Sequence, residues 1–319
     1  MPEGEFEFIA RHLRPLATAE GALGLTDDAA LLDPTPGRQL VLAKDAMVGG
    51  VHFLPDDPPA QTARKLLRVN LSDLAAMGAA PLGYLLALAR PSAIADAWLA
   101  EFCAGLAADN AEFGIALLGG DTVSTPGPLT LSLTALGEVP KGAALLRRGA
   151  GPGDDVWVSG SLGDAALGLQ VLQGRLGAPA AARAFLIDRY RLPCPRLGLG
   201  QALRGIASAA IDISDGLVGD LGHILEVSGV GAKLRADVLP LSPAARDLPG
   251  ARDAALAGGD DYELLFTARP GRQADIEALS RKLDLALTRI GRIRAEPGLD
   301  ILDEAGRMLQ VPKAGWQHF

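Results

Sequence analysis

The segment Ala210-Ile211-Asp212-Ile213-Ser214-Asp215-Gly216 constrains this chain most. An apolar run of strand character ends in an aspartate, and Ser-Asp-Gly then turns the backbone toward a helical pattern. That order puts two carboxylates and a hydroxyl at one strand end. Other aspartates stand where apolar runs meet turns or helices: Asp27-Asp28, Asp45, Asp73 and Gly119-Gly120-Asp121. Oxygen-only ligands of this kind suit Mg²⁺, a hard cation held by one or two carboxylates plus substrate phosphates. The same residues are also favoured as helix caps and turn formers, so no single aspartate among them is diagnostic. Together they predict an acidic bowl that holds metal ions, which in turn hold a polyphosphate.

The surrounding pattern sets the fold class. Leu40-Val41-Leu42-Ala43 reads as a strand that delivers Lys44 and Asp45 to its C-terminal end. Residues 59–77 are the clearest helix, opened by Pro58-Pro59, with Ala63, Leu66, Leu67, Asn70, Leu71 and Leu74 at helical spacing. Asp73 lies beside the Leu66 edge of that stripe, half buried, where a carboxylate needs partners. Helices are also predicted over 5–16, 96–113, 181–191, 195–205, 216–228 and 272–283. Strands are predicted at 115–118, 129–135, 156–158, 208–213, 232–236 and 262–268. Their irregular alternation argues for an α/β fold of the mixed, α+β kind. Three glycines and a proline after Arg147-Arg148 mark the best boundary, giving domains 1–147 and 148–319. Gly160-Ser161-Leu162-Gly163 precedes a helix and offers N–H groups of the sort that cradle phosphate, a shape that ordinary turns share.

Composition excludes several classes. With 319 residues the chain is long enough for two domains and a sizeable core. A formal net charge of −8 argues against a general nucleic-acid or anionic-membrane binder. It leaves nucleotides open, because bound metal reverses the local field. Cys103 and Cys194 form no metal-ligand spacing and read as structural thiols of a reducing compartment. No secretory leader pattern and no membrane-spanning run is evident, so a cytoplasmic setting is expected.

Several segments, taken together, resemble one family. They are Asp27-Asp28-Ala29-Ala30, His52-Phe53-Leu54-Pro55, Val69-Asn70-Leu71-Ser72-Asp73-Leu74-Ala75-Ala76-Met77-Gly78-Ala79, Gly119-Gly120-Asp121-Thr122, Asp212 to Gly216 and Gly258-Gly259-Asp260-Asp261-Tyr262-Glu263-Leu264. Their order is similar to that of the thiamine-monophosphate kinases, of the superfamily that includes aminoimidazole ribonucleotide synthetase. The resemblance implies a two-domain fold of that superfamily and a homodimer whose N-terminal sheets pair. It implies Mg²⁺-dependent transfer of the ATP γ-phosphoryl group to thiamine monophosphate. By motif match, Asp28, Asp45, Asp73, Asp121, Asp212 and Asp215 would be metal ligands, with Asp27 the alternative to its neighbour. Gly120, Asp121, Arg147 and Ser214 would meet ATP, Arg148 competing with Arg147 in register. His52, Asp260 and Trp316 would meet the substrate, Trp316 through its ring face. No general base is needed, because a phosphate oxygen with a second pKa near 6 is already ionised at neutral pH.

Two positions depart from the family pattern. Ala43-Lys44 stands where hydroxyl ligands are expected before Asp45, and Asp260 replaces a glutamate. The first departure keeps open a non-catalytic nucleotide-binding regulator. A second rival is another ATP-using enzyme of the superfamily with a different acceptor.

Overall fold

A computed structural model describes residues 5–309. Within them the chain divides into two compact units, one ending at Gly142 and lacking Ala75–Gly78, the other made of Ala75–Gly78 and the chain from Ala143 onward. Trp316 lies outside the described residues.

The first unit begins with α1 (Glu5–Phe8), a single turn that passes into a π turn at Ile9–Leu13 and a 3-10 turn at Arg14–Leu16. One regular helix over 5–16 was expected. Pro15 has no N–H and its ring crowds the preceding turn, which explains the break. There follow β1 (Arg38–Val48), α2 (Pro59–Ala76), β2 (Ala80–Arg90), α3 (Asp96–Phe113), β3 (Leu117–Ser124) and β4 (Thr130–Pro140). The strands form one sheet in the order β1-β4-β2-β3, antiparallel except for the β2–β3 pair. The expected helix at 59–77 is present, and Leu66, Leu67, Leu71 and Leu74 are all buried. Gly137 in β4 lets α2 approach the sheet, since a Cβ there would lie 3.1 Å from a Leu74 methyl. Gly105 likewise admits α2, whose Ala60 carbonyl oxygen would sit 2.3 Å from an added Cβ. Asp109 on α3 is buried and meets Arg64 and Arg68 of α2 at 2.6 and 2.7 Å, as a buried charge must be paired.

Two strand expectations are corrected here. β1 does not stop before Lys44 and Asp45: it pairs with β4 along its whole length, from Arg38↔Pro140 to Val48↔Thr130. Lys44 and Asp45 are therefore mid-strand neighbours on opposite faces of the pleat. Gly119-Gly120-Asp121 is not a turn but part of β3, where Gly120 pairs with Leu86 so closely that a Cβ would fall 1.9 Å from the Leu86 carbonyl oxygen. The face that carries Leu42, Leu85 and Val123 remains open, with Leu42 66% exposed.

The second unit comprises β5 (Asp155–Ser159), α4 (Asp164–Leu172), α5 (Ala180–Arg191), α6 (Leu197–Ala202), β6 (Ala209–Asp212), α7 (Leu217–Ser228), β7 (Gly231–Arg235), α8 (Ala251–Ala257), β8 (Leu264–Ala268), α9 (Gln273–Leu283), β9 (Leu287–Arg294) and β10 (Gly298–Leu302). Its six-stranded sheet runs β10-β7-β9-β5-β8-β6. One face buries Val156, Val158, Ile211 and Leu265 with Leu217, Leu221 and Ile224 of α7. The other buries Trp157, Leu264 and Phe266 with Leu199 of α6, Leu203 just after it and Ile276 of α9. Cover on both sides accounts for the near-continuous apolar runs of β5, β6 and β8. The architecture is thus mixed α/β with two sheets, as the sequence predicts.

Candidate active site

In the first unit the pleat sorts the expected ligands onto two faces. Asp45 faces α2, where its carboxyl lies near the Asp73 carboxyl and His52. Burial pushes the Asp45 pKa up, while Asp73 and His52 pull it back. Asn70, buried on α2, fixes this strand position: its Oδ1 accepts the Asp45 N–H at 3.1 Å and its Nδ2 donates to the Leu66 carbonyl at 2.9 Å. His52 Nδ1 accepts the Val48 N–H at 3.1 Å, so in the neutral ring the proton sits on Nε2.

The open face holds the other group. Register places Ala46, Ser132, Ala87 and Asp121 in one row, and Lys44, Thr134, Leu85 and Gly119 in the next. Lys44 Nζ donates to Ser132 Oγ at 2.8 Å and reaches Thr134 Oγ1 at 3.4 Å. A cavity of about 660 Å³ is lined by Asp27, Asp28, Lys44, Gly120, Asp121 and Ser132 among others. Asp28 and Asp121 thus share one cavity, whereas Asp45 and Asp73 meet on the other face. The structure does not bring these four into one cluster. Among the described residues, no three His, Cys, Asp or Glu side chains gather closely enough to hold a metal.

In the second unit, Asp212 closes β6 and is buried, while Ser214 and Asp215 are half buried on the turn that follows. Asp220, in the first turn of α7, is 2% exposed, and its Oδ2 accepts the N–H groups of Ser214, Asp215 and Gly216 at 3.0, 3.1 and 3.1 Å. Burial and the negative charges of Asp212 and Asp215 raise its pKa to about 7. Asp260 sits beside this turn, its N–H donating to the Ser214 carbonyl at 2.9 Å. Asp260 and Tyr262 have φ of 69° and 50°, left-handed values that cost non-glycine residues conformational energy. Arg147 and Arg148 are exposed, and their segment runs along β6, where the Ala210 N–H meets the Leu146 carbonyl at 2.9 Å. The notion of a phosphate cradle at Gly160 to Gly163 is corrected. A buried Asp261 oxygen already takes the Gly163 N–H at 2.7 Å, at the start of α4.

The sequence gives Asn70 and Asp220 no site role, although each lies in a segment that resembles the family, Asn70 to Ala79 and Asp220-Leu221-Gly222-His223-Ile224. Each carried a signal: a polar residue on the apolar face of α2, and an acid in the first turn of a helix behind a Ser-Asp-Gly turn.

The chain is similar to known proteins along nearly its whole length. A family model described as AIR synthase related protein, N-terminal domain, matches residues 26–139, and its C-terminal counterpart matches 151–304. The thiamine-monophosphate kinase of Caulobacter vibrioides is 43% identical over 99% of this chain and 91% of its own length. That of Escherichia coli is 42% identical over 99% of this chain and 98% of its own. The crystal structure of the thiamine-monophosphate kinase from Stenotrophomonas maltophilia superposes with a TM-score of 0.85 at 47% identity, covering 93% of this chain and 94% of that one. A structure described as AaThiL complexed with AMPPCP and TMP gives 0.79 at 30% identity, covering 99% and 97%. The hydrogenase maturation protein HypE in complex with ATP gives 0.78 at 18% identity over 97% of this chain and 94% of its own, a likeness of fold alone.

Proposed function

The chain belongs to the thiamine-monophosphate kinase family, and from that premise we propose that it transfers the γ-phosphoryl group of ATP to thiamine monophosphate, giving thiamine diphosphate and ADP. The observation that carries this reading is identity of 42–43% along nearly the whole chain to enzymes of that name. An ionised phosphate oxygen of the acceptor attacks the γ-phosphorus, and the bond to the β-γ bridging oxygen breaks as ADP leaves.

The barrier is repulsion between two anions. Two unit charges about 4 Å apart cost roughly 4 kcal/mol at an effective dielectric near 20, and several such pairs arise here. The donor set is all oxygen, which fits Mg²⁺. In this reading Asp28, Asp45, Asp73, Asp121, Asp212 and Asp215 would hold several Mg²⁺ ions, which when bound would neutralise the phosphates. Gly120, Asp121, Arg147 and Ser214 meet the nucleotide, and His52, Asp260 and Trp316 meet the acceptor. Lys44, anchored by Ser132 and Thr134 in the cavity, brings a fixed ammonium to the phosphates. The open face of Leu42, Leu85 and Val123 suits pairing with a second copy. Light scattering reads that state, and a monomer at assay concentration counts against it. The setting proposed is the cytoplasm.

The deciding experiment incubates purified protein with ATP, Mg²⁺ and thiamine monophosphate and measures thiamine diphosphate and ADP. Nucleotide binding without any product selects the regulator. Turnover only with another member of an acceptor panel selects a different enzyme of the superfamily.

A further inference from the structure

We propose that Asp220 is a positioning residue for nucleotide binding: through one carboxylate oxygen it sets the turn that presents Ser214 and Asp215. The inference rests on the kinase reading above and assigns a role to a residue that touches neither reactant. Three successive N–H groups, those of Ser214, Asp215 and Gly216, converge on Asp220 Oδ2. Gathering them on one inward atom fixes three peptide planes at once, which leaves the Ser214 and Asp215 side chains half buried at the rim. Asp220 is itself anchored, since its own N–H donates to the Gly216 carbonyl at 3.0 Å.

Gly216 completes the constraint. Its φ is +117°, and a Cβ there would press to 2.9 Å on the Ala257 carbonyl carbon. Only glycine lets the turn tighten around the Asp220 oxygen. The turn is also joined to its neighbour: the Ile213 and Ser214 carbonyls accept the N–H groups of Tyr262 and Asp260 at 2.8 and 2.9 Å. A Cβ on Gly259 would lie 2.5 Å from the Ser214 oxygen, so the two backbones touch. The conformation that Asp220 imposes therefore extends to the residue proposed to meet the acceptor.

A helix cap alone would account for an acid in this turn. The two roles differ in what their loss changes. Losing a cap lowers the stability of α7 and the fraction of folded protein. Losing a positioning contact frees the turn and lowers affinity for what binds there. Asparagine keeps an oxygen for the three N–H groups.

The test uses the full-length protein, calorimetry with a non-hydrolysable ATP analogue and Mg²⁺, and steady-state kinetics where the wild type turns over. Asp220→Ala is expected to weaken nucleotide binding and raise the KM for Mg·ATP about 10-fold, the scale of losing hydrogen bonds to a charged group, with kcat at saturation within about 3-fold. Asp220→Asn is expected to stay within about 3-fold of wild type in both. If Asp220→Ala does not fold, Asp220→Ser, too short to reach three N–H groups, is read in its place. Wild-type affinity in the short variant overturns the proposal. So does a lowered kcat with unchanged KM, which marks lost folded protein, and so does an Asn variant as weak as Ala. A wild type that binds the analogue but makes no thiamine diphosphate sinks the kinase reading alone, because the calorimetric comparison still decides the role of Asp220. A wild type that binds no nucleotide overturns both.

Discussion

The carboxyl pair Asp45–Asp73 and the turn bearing Ser214 and Asp215 offer acids to the same proposed reaction, but they are held in different ways. Asp45 and Asp73 ride on a paired strand and a helix, β1 and α2, and the pleat and the helical face fix where they point. Ser214 and Asp215 ride on backbone with no regular pairing of its own, tied from behind by Asp220. Replacing an acid of the first pair leaves its backbone unchanged, so the effect isolates charge. Replacing the tie in the second moves the backbone, so charge and position change together.

The largest effect is expected where charge alone is at stake. Asp73→Ala should lower kcat/KM about 10³-fold, the order of about 4 kcal/mol lost from stabilisation of transferring phosphate. Its melting temperature should hold or rise, because the variant removes one of two carboxyls that lie close together. Steady-state kinetics with calorimetric melting reads both. A loss below about 10-fold would mean that the pair lies outside the reaction.

A smaller effect is expected at Lys44, whose neighbour Asp45 faces the other side of β1. The ammonium sits on Ser132 and Thr134, in the cavity that Asp28 and Asp121 also line. Lys44→Thr removes a fixed positive charge and supplies a hydroxyl. The Mg²⁺ concentration for half-maximal rate should rise about 3- to 10-fold, the worth of one charge-assisted contact to phosphate. Binding of ATP in the presence of a chelator should weaken by a similar factor. An unchanged Mg²⁺ requirement together with unchanged metal-free binding would remove Lys44 from the site.

The contrast also shows what the sequence makes legible. Asp73 was placed half buried from helical periodicity alone, and it is so, because 3.6-residue spacing depends on one element. The turn at Ser214-Asp215-Gly216 was legible for the same reason: its chemistry is local. Asp45 was misjudged because strand length depends on a partner. The four residues Leu40 to Ala43 look like a complete strand until β4 extends the pairing to Val48. β9 escaped notice because its apolar residues Leu287, Ile290 and Ile293 do not alternate. A register shift against β5 beside Gly291 breaks the period, and that glycine has no room for a Cβ against the Lys233 carbonyl at 2.3 Å. Asp261 is hidden by its motif: ahead of β8 the backbone turns through a left-handed Asp260, and Asp261 points inward to the start of α4. Contacts that join distant segments are what local pattern cannot supply.

The smallest effect is a slope rather than a loss of activity, and it lies in the buried charges behind the second region. Asp164, Asp261 and Glu263 are buried together, with Arg189 and Arg196 bound to Glu263. Three carboxyls are thus buried beside two guanidiniums. Burial pushes both Asp164 and Asp261 above the usual carboxylate range, against the hydrogen bonds that Asp164 accepts from Ser161 and Ser242. A raised folded pKa means that the unfolded chain releases its proton first. The stability from these groups is therefore full below the ordinary aspartate value of about 4, and it is lost as pH rises through the folded values. Asp164→Asn deletes one of the two titrations and keeps an acceptor oxygen for Ser242. Urea unfolding between about pH 5 and about pH 8 should show stability falling less with pH in the variant than in the wild type. Parallel pH profiles would mean that the network stays fully ionised, its charge balanced from beyond these five side chains.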